Sequence, residues 1–153
     1  MEKFRKKIEA YGVTMEKMGL SPVAARTYVY ILYTRDPGAT FEDLVRFFQV
    51  SKSAISNALK YLESVNMIDS KTIGGQRKRY FYASFDKMLN KEVMINRFKL
   101  MSDMLHDIKY DRQDDDVTAQ QLENASLLYK MLIIELPIVL ERWKRTIELD
   151  KTT

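Results

Sequence analysis

The chain of 153 residues contains no cysteine, a single histidine, three prolines and five glycines. Without cysteine, neither disulfides nor thiolate metal sites can hold it together, which is compatible with a reducing, cytoplasmic setting. His106 lies close in sequence to Asp103 and Asp107, and one imidazole among solvated carboxylates makes neither a metal site nor a nucleophile-activating triad. The sequence has no phosphate-binding glycine loop, no GxSxG elbow and no zinc motif. No catalytic residue, cofactor or metal is therefore expected, and the chain does not read as an enzyme. Long apolar runs are missing too. The greasiest stretch, Leu127 to Leu140, is interrupted by Lys130 and Glu135 and is too short to span a bilayer. The opening MEKFRKKIEA carries charge throughout and has no apolar core of a secretory signal.

What is present is a chain with 46% hydrophobic and 30% charged residues, enough for a real core. The net charge of +4 is unevenly spread. Residues 1–90 hold 15 Lys/Arg against 9 Asp/Glu, and residues 91–153 hold 10 against 12. The positive excess lies in the first part, as an electrostatic footprint for nucleic acid would.

The stretch from Thr40 to Ser84 is the most informative. Thr40 and Asp43 have capping-box spacing, and Phe41, Leu44, Val45 and Phe48 share one face of a short helix. The pattern breaks at Gln49-Val50, and Ser51 caps a second helix from Lys52 to Val65. Its apolar stripe is Ile55, Ala58, Leu59 and Leu62. The opposite stripe, Lys52, Ser53, Ser56, Asn57 and Lys60, is small, polar or basic, with no acid before Glu63. Such a face adds little bulk, carries base-edge donors and acceptors, and does not repel phosphate. Asn66 reads as a left-handed stop. Two β-prone runs follow, Met67–Ile73 and Lys78–Ala83, joined by Gly74-Gly75-Gln76-Arg77, whose glycines supply the positive φ of a tight turn. The basic tip, Arg77-Lys78-Arg79, is thin enough to lie along phosphates or enter a minor groove.

This block resembles the winged helix-turn-helix of the MarR superfamily, and most closely its GbsR-type branch. The resemblance rests on Phe41–Leu44, on Val50–Leu62, on the wing Gly75–Tyr82, and upstream on Met18–Tyr28; it covers about half the chain. It implies a homodimeric transcriptional regulator, commonly a repressor, whose affinity for double-stranded DNA can respond to a small-molecule effector of unidentified structure.

The flanking segments are read as helices. Lys3–Met18 has a seam of Phe4, Ile8, Tyr11, Met15 and Met18, weakened slightly by Gly12, with a basic cluster at Lys3, Arg5, Lys6 and Lys7. Ser21-Pro22 starts a helix that stops at Asp36-Pro37-Gly38. Its Tyr28, Tyr30 and Tyr33 are expected in the core, with an aromatic cage for an organic cation as the alternative. A long helix from Phe85 to about Tyr110 carries Met94, Phe98, Met101, Leu105 and Ile108 on one seam. The run Asp114-Asp115-Asp116 lacks the spacing of a calcium loop and reads as a solvated connector. The last helix is expected to open at Thr118 with Gln121 completing a capping box, to carry the seam Leu122, Ala125, Tyr129, Leu132, Leu136, Val139 and Trp143, and to kink at Pro137. Both long helices need a partner to bury their stripes.

The expected fold class is mainly α with a small β-hairpin wing: residues 1–20 an N-terminal dimerisation helix, 21–84 a winged helix-turn-helix domain, and 85–153 a helical dimerisation region. The expected function is sequence-specific DNA binding as a homodimer. Contacts are assigned to Ser51, Lys52, Ser53, Ser56, Asn57 and Lys60 on the second helix of the pair and to Gln76, Arg77, Lys78 and Arg79 on the wing, with Arg79 alternatively facing the sheet. Two rival readings stay open: a winged-helix protein-interaction module in a larger assembly, and a small-molecule sensor.

Overall fold

The computed structural model describes residues 1–75, 77–112 and 116–150. The chain divides into two compact units, Met1–Met88 and Leu89–Thr153.

The first unit opens with a 3-10 turn, Glu2–Phe4, and α1, Arg5–Lys17. Of the expected seam, Ile8 is fully buried and Phe4 and Met15 half-buried, whereas Tyr11 and Met18 are exposed. Gly12 is more than a weak point. A methyl group there would meet Arg26 Cγ at 2.7 Å, so the missing side chain lets Arg26 of α2, Pro22–Tyr33, lie across α1. Arg26 then pairs with Glu9 at 2.6 Å and Glu16 at 2.5 Å, clamping the two helices together. Arg5 of the basic cluster is likewise engaged: it pairs with Glu2, donates to the Phe47 carbonyl at 3.1 Å and stacks 3.9 Å over the Phe47 ring. Ser21 occupies the cap position of α2, but its side chain makes no capping bond; Pro22 at the first turn presets the backbone instead.

Tyr28 and Tyr30 are buried among core side chains, and burial pushes both phenols up from their ordinary pKa. Tyr30 meets Phe47 and Phe48 edge-on, while Tyr33 stacks on Phe4 at 4.6 Å. They pack the core rather than forming a tyrosine cage.

After α2 comes β1, Ala39–Thr40, a strand the sequence pattern did not reveal. It pairs antiparallel with β3, Arg79–Ala83, which also pairs with β2, Ile68–Thr72, giving a three-stranded sheet in the order β1-β3-β2. The expected hairpin therefore has a third strand on its far side. Gly38 makes this pairing feasible: its φ is +120°, and a methyl there would lie 2.4 Å from the Phe81 carbonyl oxygen.

The helix pair follows directly. Thr40 and Asp43 form the reciprocal capping box of α3, Phe41–Phe48. Leu44 and Phe47 are its buried residues, with Phe41, Val45 and Phe48 half-buried; the stripe read from sequence omitted Phe47. Gln49 turns left-handed at φ 53°, and Ser51 accepts the Ala54 amide to cap α4, Lys52–Ser64. Ile55, Ala58, Leu59 and Leu62 are all buried, and Asn66 adopts the left-handed stop at φ 62°. A short α5, Phe85–Met88, closes the unit.

The second unit is an α-helical hairpin of α6, Lys91–Arg112, and α7, Val117–Asp150. The helix expected from Phe85 to Tyr110 is thus two helices, because Asn90 caps Val93 and restarts the chain. The two faces meet through small polar residues, not through the apolar seams alone. Ser102 and Ser126 are buried and face each other, Oγ to Oγ at 3.1 Å, with the opposite carbonyl an alternative acceptor for each hydroxyl at 3.3 and 3.2 Å. Phe98 lies against Tyr129, and Lys109 pairs with Glu123. Met101 and Ile108, placed on the seam by sequence, are exposed, as are Val139 and Trp143. The cap of α7 is Asp116, which accepts the Ala119 amide, rather than Thr118. The connector residues Gln113, Asp114 and Asp115 lie outside the described residues. Pro137 sits within α7 without ending it. No helix among the described residues is long and apolar enough to cross a membrane.

Replacing Gly38 by alanine should destabilise the chain by roughly 1–3 kcal/mol, because it combines a left-handed backbone with a clash against β3. Urea unfolding of the variant beside the parent measures this.

Candidate nucleic-acid interface

At about 100° per residue, the buried stripe of α4 obliges the opposite stripe to face outward. Ser53, Asn57 and Lys60 are exposed along its middle, Ser56 is half-buried at one edge, and Ser51 and Lys52 are exposed at the helix start. Every ridge residue named from sequence is thus accessible to at least that degree. The ridge also includes Tyr61, one turn beyond Asn57 and 45% exposed, which the sequence pattern left unassigned. Ser51 is partly committed: besides capping α4 it shares a hydrogen bond with Ser53 at 3.0 Å. Glu63, the first acid on α4, points sideways toward the sheet, where it accepts from Ser70 and Arg79. The ridge therefore carries hydroxyls, an amide and cations without a free carboxylate.

Arg46 of α3 is a further cation that the sequence reading missed. It is 80% exposed, holds a distant pair with Asp43 at 4.0 Å, and lines a shallow hollow together with Lys52, Phe41, Glu42 and Val45. Charge alone gave no signal there, since Arg46 sits on the helix preceding the polar stripe.

The four wing residues are not equivalent. Gln76 lies outside the described residues. Arg77 and Lys78 are exposed and have no ion pair among the described residues. Arg79 faces back toward its own sheet and bonds Glu63 at 2.8 Å and Ser70 at 2.7 Å. Of the two tip glycines only Gly75 has positive φ, +79°. The first unit also holds an apolar groove of about 330 Å³ between α1 and α2, lined by Tyr11, Thr14, Met15, Val29, Leu32 and Tyr33.

No protein-family model matches the chain, and no curated protein matches it by sequence. Among solved structures it is similar to one described as a transcriptional regulator, with a TM-score of 0.79 over 94% of this chain and 99% of that one, at 18% identity. That likeness establishes a winged-helix fold. Looser superpositions are to a Staphylococcus aureus MepR–DNA complex, TM-score 0.43 at 15% identity over 84% of this chain and 91% of that one, and to MarR, TM-score 0.41 at 15% identity over 99% and 93%.

The stem of the wing is braced by a second set of charges. Lys87 of α5 pairs with Asp69 of β2 at 2.6 Å, and the Tyr82 hydroxyl donates to the same carboxylate at 3.2 Å. Lys87, with help from the Ser70 amide, holds the Asp69 carboxyl below its usual range. A carboxyl whose folded pKa is depressed stabilises the fold above its unfolded value of about 4, and that contribution is lost as pH falls through the lower folded value. Asp69→Asn should therefore be less stable than the parent at pH 7, with the difference shrinking as pH drops below about 4. Denaturant unfolding at neutral and acid pH reads the two limits.

Proposed function

We propose that the chain is a sequence-specific, double-stranded-DNA-binding transcriptional regulator of the MarR superfamily, GbsR-type branch, acting as a homodimeric repressor. The observation that carries this reading is the exposed, acid-free ridge of α4 in the same compact unit as a wing whose Arg77 and Lys78 have no ion pair among the described residues. In this reading Ser53, Ser56 and Asn57 face base edges in the major groove, with Asn57 suited to bidentate pairing with adenine. Ser51, Lys52, Lys60 and Arg46 serve backbone phosphates, and Gln76, Arg77 and Lys78 follow the adjacent groove.

The second unit supports the dimer. Leu100, Leu127, Leu128, Met131, Ile134 and Ile138 are exposed on a two-helix hairpin that has no third layer of its own to cover them. A second copy of the same surface is the self-complementary solution, and a closed two-fold pair matches a palindromic operator. The exposed Tyr11, Val13 and Met18 of α1 are consistent with a separate part for the N-terminal helix in dimerisation. A small-molecule effector fits the reading through the apolar groove between α1 and α2, which is large enough for a compact ligand.

Selection of bound duplexes from a random pool should return a palindromic motif; recovery of no motif, or of an asymmetric one, counts against the proposal. On the selected duplex, Arg77→Ala should weaken binding and reduce the salt slope by about one phosphate contact, whereas Asn57→Ala should change base preference at one position of each half-site. Sedimentation should give twice the mass of the chain.

A further inference from the structure

Three neighbouring cations at the wing, Arg77, Lys78 and Arg79, look alike in sequence but differ in geometry. Arg79 is the first residue of β3, and its guanidinium is turned away from the tip. Its Nη2 donates to Glu63 Oε1 at 2.8 Å and its Nε to Ser70 Oγ at 2.7 Å, while Ser70 Oγ donates to the same Glu63 oxygen at 2.8 Å. The guanidinium also lies 5.3 Å from the Phe81 ring centroid. The result is a closed ring of three side chains from three elements, α4, β2 and β3. Ser70 and Arg79 are close across the β2–β3 ladder, where Ser70 stands opposite Phe81 and Thr72 opposite Arg79.

A lone exposed ion pair contributes little to stability. This ring does something different: it joins the C-terminal part of the α4 ridge to the stem of the wing. For Arg79 to bind a phosphate it would have to give up a charge-assisted bond to Glu63 and its bond to Ser70 as well. Glu63 in turn, the first acid on α4, is neutralised where it borders the C-terminal part of the ridge. We infer that Glu63 and Arg79 are positioning residues for DNA binding: they fix the angle between wing and α4, so that Arg77 and Lys78 are presented at a set distance from Asn57, and Arg79 touches no phosphate. The inference rests on the DNA-binding reading above. Its energetic logic is preorganisation, since a wing already held in place loses less freedom on binding.

The test uses the full chain, the duplex selected with the parent protein, and fluorescence anisotropy across a range of salt. Arg79→Met and Glu63→Gln should each weaken binding about tenfold with an unchanged salt slope, and the double variant should be no weaker than either single one, because both remove the same link. Arg79→Lys, which keeps charge but not the forked geometry, should recover only part of the loss. Hydrogen exchange on the free protein supplies a readout independent of DNA: amides of residues 70–75 and 77–81 should exchange faster in both single variants. A salt slope reduced by about one in Arg79→Met would make Arg79 a phosphate contact and overturn the inference. So would tighter binding with a steeper slope in Glu63→Gln, or unchanged exchange in both variants. Failure of the parent chain itself to bind any selected duplex ends the DNA-binding reading, a result distinguishable from parent binding that the variants leave untouched.

Discussion

The first unit depends on one constraint, the complete burial of a single stripe of α4. Ile55 and Leu62 have no exposed surface, and Ala58 and Leu59 have almost none. Burying four such side chains supplies several kcal/mol at roughly 25 cal/mol per Å² of apolar surface. A helix seated that firmly has no rotational freedom about its own axis. Its outer stripe is consequently presented in one orientation, and Ser53, Asn57 and Lys60 owe their exposure to residues they never touch. The surroundings of α4 follow from the same seat: α3 ends in a left-handed Gln49 so that the chain can turn sharply, and Asn66 performs the corresponding turn at the other end.

The sheet extends this rigidity outward. β3 is held on both sides, by β1 through the close approach at Gly38 and by β2 through a five-residue ladder. Charge pairs then fasten its margins: Lys71 to Asp36, Lys87 to Asp69, and Arg79 to Glu63. The only cations of the 77–79 run left without an ion pair among the described residues are the two that precede β3. Sequence density of positive charge is thus a poor guide to how much of it is available, since one of three adjacent cations is spent on internal geometry.

Much of the first unit was legible because its signals are local. Thr40 and Asp43, Ser51, Asn66 and the apolar positions of α4 each act through neighbours within four residues, the range over which periodicity and capping rules operate. Features that failed to show depend on distant partners. β1 is two residues long and exists only because β3 is there to pair with it. The usefulness of Gly12 is visible only once Arg26 lies across it, and the inward turn of Arg79, one of two readings of the sequence, gains its partner only once Glu63 is beside it. In the second unit, periodicity found the helices and most of the half-buried seam, Phe98 and Tyr129 included, but not the serines at its centre. A scheme that tracks apolar side chains passes over serine, while in the folded hairpin Ser102 and Ser126 are buried and Met101 and Ile108 are exposed. The candidate ridge was readable as chemistry, being a run of small, polar and basic residues; Tyr61, an aromatic one turn beyond Asn57, did not fit that chemistry, and Arg46 lies near Lys52 only in three dimensions.

That serine contact carries a consequence for how α6 and α7 can move. Each hydroxyl is satisfied only by the backbone and side chain directly across from it. A slip of one helix past the other by a turn, about 5.4 Å, would break these bonds, each worth about 0.5–1.5 kcal/mol. Greasy interfaces generally tolerate sliding; this one is keyed. The two arms of the hairpin are held in one register.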